Sequence, residues 1–300
     1  MSEIYPFKVR KGHYLTNKSL LISNLQKCIR RSLPDKAIRT AMVLMEYHLL
    51  AFVRRLPIIV MEDVILHPVM PRLVSIMERV TKKEDISKEE VTLMLQVIVD
   101  LCKCPQRDSL DTDLLNQYTG REQLSATADK LINSLRLRAQ FGGMAWDVEM
   151  LEKYARQWTV RFNENESRWR QFLHDRFPNV ISVNPVTIRT LQEEDILLEA
   201  IDFHSSPITN ILARKTEFQH LIYRLFGRVD VKDKINDIIW ELRSSVNKRK
   251  VFWDPTLPTD VIERNSIENR EKHLRLYHAM SQQIESVSRW YVNKIKEDKK

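Results

Sequence analysis

The segment Ser87–Cys104, SKEEVTLMLQVIVDLCKC, predicts the fold class of this 300-residue chain. Ser87 is followed by glutamates in what would be a first helical turn, which is the pattern of a helix N-terminus with a capping box. The apolar residues after it recur every three or four positions, the spacing of one helical face. They are Val91, Leu95, Ile98, Val99 and Cys102.

The same helical spacing recurs on both sides of this segment, and no strand-like alternation of any length interrupts residues 19–109. The chain contains only 5 glycines, which disfavours turn-rich β architectures and dinucleotide-binding sheets. Leu, Ile, Met and the long charged residues dominate, and these are good or neutral helix formers. The sequence therefore predicts an all-α protein.

Breaks in the helical pattern predict the domain organisation. Residues 1–18 are expected to form an N-terminal arm, residues 19–109 a helical bundle, and residues 110–300 a second helical domain. Within that domain, prolines predict a linker near 178–190, and a long C-terminal helix is expected from Glu263 to Lys296. Pro57 predicts a kink near Leu56. A further break is expected in the helix around residues 163–165.

The charge balance allows two interpretations. The net charge is +8 and the isoelectric point is about 9.3, which favours an acidic partner such as nucleic acid. However, 40 acidic residues accompany 48 basic ones, so a solvated surface of mixed charge is the alternative.

The three cysteines, Cys28, Cys102 and Cys104, are too few for a disulfide framework and are expected to be buried free thiols. The longest apolar run, near residues 49–61, contains Arg54 and Arg55 and is too short to span a bilayer. No apolar signal region opens the sequence. We therefore expect a soluble protein in a reducing intracellular compartment, cytoplasm or nucleus, with a viral origin left open.

Catalytic motifs are absent from the sequence. There is no phosphate-binding loop, no glycine-rich dinucleotide loop, no HExxH, no GxSxG and no CxxC pair. We therefore expect no enzyme activity, no cofactor and no metal. Asp202 and His204 have residue types suited to acid–base work, but a helix end with polar caps is the simpler interpretation.

Two basic and aromatic stretches are the candidates for nucleic-acid binding. Cations beside aromatic rings suit phosphate contact combined with base stacking. The alternatives are cations that complement a helix dipole and a tyrosine–tryptophan–phenylalanine face (Tyr154, Trp158, Phe162) that forms core. The candidate residues are Arg168, Arg170, Arg243, Lys248, Arg249, Lys250 and Trp253.

Four charged residues in the second predicted helix are expected to form structural ion pairs. Glu62 and Asp63 follow Arg54 and Arg55 by about two helical turns. A paired-carboxylate site is the alternative, but an ion-pair network in a bundle suits this spacing better.

Three segments stand out in residues 21–109: LQKCIRR (25–31), FVRRLPIIVMEDV (52–64) and VIVDLCKCPQRDS (97–109). Together they resemble the helical C-terminal, collar-like region of the RarA/MgsA/Werner-interacting group of clamp-loader-related AAA+ proteins. Ser32, Pro57 and Ile65 depart from the family pattern, and the ATPase domain of that family has no counterpart here.

The resemblance implies self-association or docking through the bundle, and proximity to DNA in replication or repair. Our first hypothesis is accordingly a non-catalytic, DNA-associated scaffold that forms a homo-oligomer or joins a larger protein complex. The second is a structural protein that packs within a larger complex without any nucleic-acid role. Neither hypothesis places a membrane among the partners.

Overall fold

The computed structural model describes residues 13–110, 129–178, 189–204, 206–251 and 263–297. Helices make up most of this part of the chain, which confirms the predicted all-α class. The ten α-helices of the described residues are α1 (Lys18–Arg30), α2 (Pro34–Asp63), α3 (Met70–Thr81), α4 (Lys88–Lys103), α5 (Lys130–Gln140), α6 (Ala145–Arg176), α7 (Ser206–Ala213), α8 (Thr216–Phe226), α9 (Val231–Ile239) and α10 (Glu263–Glu297).

Shorter helices and one minimal sheet complete the described structure. The 3₁₀ segments are Tyr14–Thr16, Glu193–Asp195 and Leu198–His204, and a π-helical turn spans Trp240–Ser244. The strands β1 (Gln106–Arg107) and β2 (Lys250–Val251) pair in parallel, with Gln106 opposite Lys250.

Helix α4 begins where the sequence predicts, because its capping box forms. The Ser87 hydroxyl oxygen accepts from the Glu90 N–H at 3.2 Å, and the Glu90 carboxylate accepts from the Ser87 N–H at 2.9 Å. Two backbone donors that a helix start leaves without partners are thereby satisfied.

The predicted kink near Leu56 is wrong, because the break in α2 lies at His48. The backbone of His48 has φ −143° and ψ 40°, whereas Pro57 stays inside the helix. The ring of Pro57 fixes φ near the helical value and removes one backbone hydrogen bond, and the only non-helical backbone angles within α2 are those of His48. In α6 the break predicted around residues 163–165 is confirmed at Asn165 (φ −162°, ψ 87°).

The described residues form two compact units. Unit 1 contains residues 44–110, 129–178 and 248–251, and unit 2 contains residues 13–43, 189–204, 206–247 and 263–297. The two units meet in sequence within α2, and the domain division near residue 109 stays a prediction. The N-terminal arm and the predicted linker fall largely outside the described residues.

Unit 1 has a core rich in aromatic residues. Helix α5 packs against α6 and α3. Tyr154, Trp158 and Phe162 are buried, which confirms the core interpretation of their helical spacing. Trp158 and Trp169 meet edge to face with 5.8 Å between ring centroids, so the two halves of α6 share one core across the Asn165 break.

Unit 2 is built from the two ends of the chain. Helix α1 packs against the Leu198–His204 segment, and α7, α8 and α9 surround α10. The long C-terminal helix is confirmed. It buries Leu276, Met280, Ile284 and Ser288, which recur every four residues, and leaves its other side in solvent. Among the described helices, none is both long enough and apolar enough to cross a bilayer.

Candidate interaction surfaces

Arg243, a predicted nucleic-acid contact, is buried in unit 2. It lies in the π-helical turn, and its Nε is 3.2 Å from Asp202 Oδ2. The same carboxylate oxygen accepts a hydrogen bond from the Ser244 hydroxyl at 3.1 Å. Two arginines from the end of α1 close this turn: Arg30 donates to the Ser244 carbonyl oxygen and Arg31 to the Arg243 carbonyl oxygen, both at 2.9 Å.

We call Lys27, Arg30, Asp202, Arg243 and Ser244 the Asp202 cluster, since all five are buried. Burial raises the pKa of Asp202 to about 6, although Arg243 and Lys27 oppose the shift. Asp202 Oδ1 and Arg243 Nη1 are buried without a hydrogen-bond partner among the described residues. The cluster is an internal polar network, and the His204 side chain that could have joined it lies outside the described residues.

The basic run after residue 247 belongs to unit 1 and is only partly accessible. Arg249 is buried and donates to the Leu101 carbonyl oxygen, and burial lowers the pKa of its guanidinium. Lys248 is exposed. Lys250 pairs through its backbone in β2, whereas its side chain and Trp253 lie outside the described residues. Arg243 and Arg249 thus fall in different units, each in an internal contact.

Arg168 and Arg170 are exposed on α6, just after the Asn165 break. The Arg168 guanidinium lies 5.2 Å from the Trp169 ring centroid. Arg170 lies 5.0 Å from the Phe162 ring centroid, is 2.7 Å from Glu166 and also pairs with Asp129. The bond to Glu166 is the main reason that the pKa of Arg170 is raised.

Arg170 lines a cavity of about 620 Å³ in unit 1. Its other lining residues include Pro68, Pro71, Leu131 and Phe162. Because two carboxylates already neutralise Arg170, this residue offers less charge to a phosphate than the sequence suggests.

The four residues predicted to form structural ion pairs have different partners. Arg55 joins two carboxylates, with Nη2 3.0 Å from Glu62 and Nη1 3.0 Å from Asp147. Arg54 donates from Nη2 to the Phe141 carbonyl oxygen at 2.8 Å. Asp63 is buried. Arg54 and Arg55 therefore attach α2 to the chain segment that opens α6.

That segment, Phe141–Asp147, is here called the Trp146 turn. Arg138 donates to the carbonyl oxygens of Gly142 and Arg54, both at 2.8 Å. Gly142 and Gly143 have φ of +69° and +144°, values that side-chain-bearing residues rarely adopt. Three arginines and two glycines therefore fix the path of the turn.

The Trp146 turn presents large apolar side chains to solvent. The exposed fraction is 64% for Trp146 and 51% for Met144. Leu50, one helical turn before Arg54 in α2, is also exposed. Sequence reasoning missed this surface, although the pair Gly142-Gly143 ahead of Met-Ala-Trp is a signal that could have drawn attention to it.

Unit 2 has its own exposed aromatic residues. Trp240 and Trp290 are each about half exposed, and Tyr223 nearly as much. The Lys294 ammonium lies 5.5 Å from the Trp290 ring centroid. Trp240 faces the buried Arg30 guanidinium at 5.7 Å.

Exposed cations of unit 2 occur where α8 meets α10. The rings of Phe226 and His273 lie 5.4 Å apart and mark this contact. Within two or three residues of these two rings, in sequence, are four exposed arginines that form no ion pair among the described residues. They are Arg224, Arg228, Arg270 and Arg275.

In the described part of the chain, no group of three or more His, Cys, Asp or Glu side chains could bind a metal ion. Cys28, Cys102 and Cys104 are buried thiols that form no disulfide among the described residues, as the sequence predicts. Burial raises the pKa of the Cys104 thiol, so this sulfur is a weak nucleophile at neutral pH.

The chain matches no protein-family model, no curated protein and no solved structure. The resemblance to the collar-like region of clamp-loader relatives therefore remains a prediction from its three segments. In the structure, the first segment lies mainly in α1, within unit 2, whereas the other two lie in α2 and at the end of α4, within unit 1.

Proposed function

We propose that this chain is a non-catalytic assembly protein, which docks to other protein surfaces through exposed apolar side chains. The observation that carries the proposal is that each compact unit exposes large apolar residues. Such residues are enriched at the energetic centres of protein interfaces. Unit 1 exposes Leu50, Met144 and Trp146, and unit 2 exposes Tyr223, Trp240, Val246, Leu274 and Trp290.

Two docking surfaces on one chain suit a scaffold, because a scaffold must hold two surfaces at once. They also suit a homo-oligomer, if one surface receives the other from a second copy. The predicted collar-like character of residues 21–109 agrees with either arrangement. This proposal covers both of our sequence-based hypotheses, since each one requires assembly.

Sedimentation velocity and chemical cross-linking test the proposal. We expect the wild-type chain to form higher-mass species, alone or with cross-linked partners, and Trp146→Ser or Trp290→Ser to reduce them. Gln171→Ala, an exposed polar position of α6, is the control and should leave assembly unchanged. A monomer whose cross-linked partners are the same in all four proteins would contradict the proposal.

Association with nucleic acid is the second candidate function, and the four unpaired arginines near Phe226 and His273 favour it. Exposed cations bind phosphate and release counterions, and the neighbouring Tyr223 offers a ring for base stacking. Arg243 and Arg249 do not support this candidate, because both are buried in internal contacts.

Filter binding to single- and double-stranded DNA over a salt series tests the second candidate. We expect the affinity to fall as the salt concentration rises. The double variant Arg224→Gln with Arg270→Gln should reduce the slope of log affinity against log salt concentration by the amount that about two phosphate contacts contribute. Arg72→Gln with Lys88→Gln, two exposed cations of unit 1, provides the charge-matched control. Binding without a salt slope would exclude a phosphate contact.

A further inference from the structure

The Trp146 turn carries an exposed tryptophan on a backbone that hydrogen bonds hold in place. Arg54, Arg55 and Arg138 make hydrogen bonds that join α2, the end of α5 and the start of α6 around it. Arg138 is itself buried. Its guanidinium is satisfied there by bonds to the carbonyl oxygens of Arg54 and Gly142, which is what allows it to be buried.

Exposing Met144 and Trp146 by more than half leaves apolar surface in water. An exposed aromatic residue on a backbone that is already held in place is, however, favourable for binding, since little entropy is lost when a partner covers it. The arrangement is that of a preorganised docking site.

The charges around the turn indicate the chemistry of the partner. The carboxylates nearest to Trp146 in sequence are already paired: Asp147 with Arg55 at 3.0 Å and Glu149 with Lys153 at 2.6 Å. Arg54 is half buried and donates to a carbonyl oxygen, with no ion pair among the described residues. Three guanidinium groups and two carboxylates therefore meet at the turn, so the charge of these described groups is positive.

The state of Arg138 supports a positive local potential. Its pKa is lowered to about 10, chiefly by burial and then by the neighbouring Arg54 guanidinium. A carboxylate brought to this surface would relieve repulsion between guanidinium groups.

We propose that the Trp146 turn binds an acidic, apolar peptide segment of another protein. An apolar side chain of that segment packs on Trp146 and Met144, and an Asp or Glu carboxylate pairs with Arg54. This inference rests on the proposed assembly function and names the partner chemistry of one of its surfaces. A nucleic acid suits the turn less well, because its phosphate backbone requires several cations and only Arg54 is available here.

Selection of a displayed peptide library against the full chain tests this proposal. Peptides that also bind the Trp146→Ser variant are removed by counter-selection. We expect the enriched peptides to combine an aromatic or aliphatic residue with Asp or Glu. In fluorescence anisotropy, Trp146→Ser and Arg54→Gln should each weaken the best peptide about tenfold or more. Exchanging the acidic residues of the peptide for their amides should weaken wild-type binding similarly and Arg54→Gln binding little.

Arg156→Gln is the matched control, since Arg156 is an exposed arginine of α6 without an ion pair among the described residues; it should leave peptide affinity within about twofold. Met144→Ser provides a second apolar variant, and thermal unfolding verifies that every variant is folded.

Three outcomes would overturn the proposal. The first is that no peptide is enriched on the wild-type chain relative to the Trp146→Ser chain. The second is a peptide that binds the wild-type chain and Arg54→Gln with the same affinity. The third is that a single-stranded oligonucleotide or a second copy of the chain covers Trp146, whereas the peptide does not. If cross-linked assemblies still depend on Trp146 in the third case, the assembly function stands and only the peptide assignment fails.

Discussion

Arg161 and Asp108 form a two-point ion pair in the core of unit 1, with Nη1 2.7 Å from Oδ2 and Nη2 3.0 Å from Oδ1. Both residues are buried. The Arg161 guanidinium also lies 4.7 Å from the Trp158 ring centroid and 5.0 Å from that of Trp169. One cation therefore joins the connection after α4 to both halves of α6.

We predict that Asp108→Asn destabilises the protein by about 3–5 kcal/mol, because it leaves the Arg161 charge buried without a counter-charge. Urea unfolding measures the change. Glu78→Gln, which removes the exposed Glu78–Lys82 pair, is the control and should shift the midpoint little. Equal shifts of the urea midpoint for the two variants would show that the buried pair stabilises the protein no more than the exposed pair does.

We predict that Asp202 makes the protein more stable in mild acid. Burial raises the pKa of Asp202 to about 6 from 3.8, so the folded state binds the proton more tightly than the unfolded state. This contribution is complete below pH 3.8 and is lost as the pH rises through about 6. Relative to Asp202→Asn, the wild-type free energy of unfolding should fall by about 3 kcal/mol over that interval.

Asp195, also in unit 2, should contribute to stability with the opposite dependence on pH. Its burial opposes ionisation, but hydrogen bonds from Arg39 and the Gln192 N–H outweigh burial and lower the pKa of this carboxyl. Its stabilising contribution is present above pH 3.8 and is lost as the pH falls. The difference between wild type and Asp195→Asn should therefore shrink in acid. Parallel pH profiles for Asp202→Asn and Asp195→Asn would contradict both assignments.

His67 should remain neutral at pH 7. The Val69 N–H donates to Nδ1 at 3.2 Å, which places the ring proton on Nε2, 3.6 Å from Asp100 Oδ2. Burial lowers the pKa of His67, although Asp100 opposes the shift.

The unfolded state therefore takes up the proton first as the pH falls below 6.5, and the stability contributed by a neutral His67 is lost. Thermal unfolding from pH 7.5 to 5 should show a steeper loss for wild type than for His67→Gln. His220→Gln, at an exposed position, is the control. A wild-type profile as flat as that of His67→Gln would show that His67 does not titrate on unfolding.

The capping box of α4 gives a prediction at a single residue. Ser87→Ala should destabilise unit 1 by about 1 kcal/mol, because the Glu90 N–H loses its partner. Ser75→Ala, at an exposed position within α3, should change stability less. Urea unfolding compares the two variants. Equal changes in the free energy of unfolding would show that the cap does not stabilise the helix.

Features that depend on residues close in sequence could be predicted. The start of α4 follows from Ser87 and Glu90, three positions apart, and the core face of α6 follows from the spacing of Tyr154, Trp158 and Phe162. Periodicity and capping are local properties, and the same is true of the break at Asn165.

Features that depend on distant partners could not be predicted. Arg243 and Arg249 lie in a charged run, which sequence reasoning places in solvent, yet Asp202 and the Leu101 carbonyl group bind them inside the two units. The exposure of Trp146 could not be predicted for the same reason, since the arginines that hold its turn lie up to 92 positions before Trp146. A pattern of residue types does not reveal which pairs will meet.

The discontinuity of unit 2 has a consequence for biosynthesis. Helix α1 leaves the ribosome early, but its partner segment Leu198–His204 is made about 170 residues later. During that interval, Arg30 lacks the Ser244 carbonyl oxygen that accepts its hydrogen bond in the finished protein, and the apolar face of α1 lacks the segment that it packs against. We therefore expect chaperones to bind the nascent helix. Fragments that end before residue 198 should expose the apolar face of α1 and aggregate.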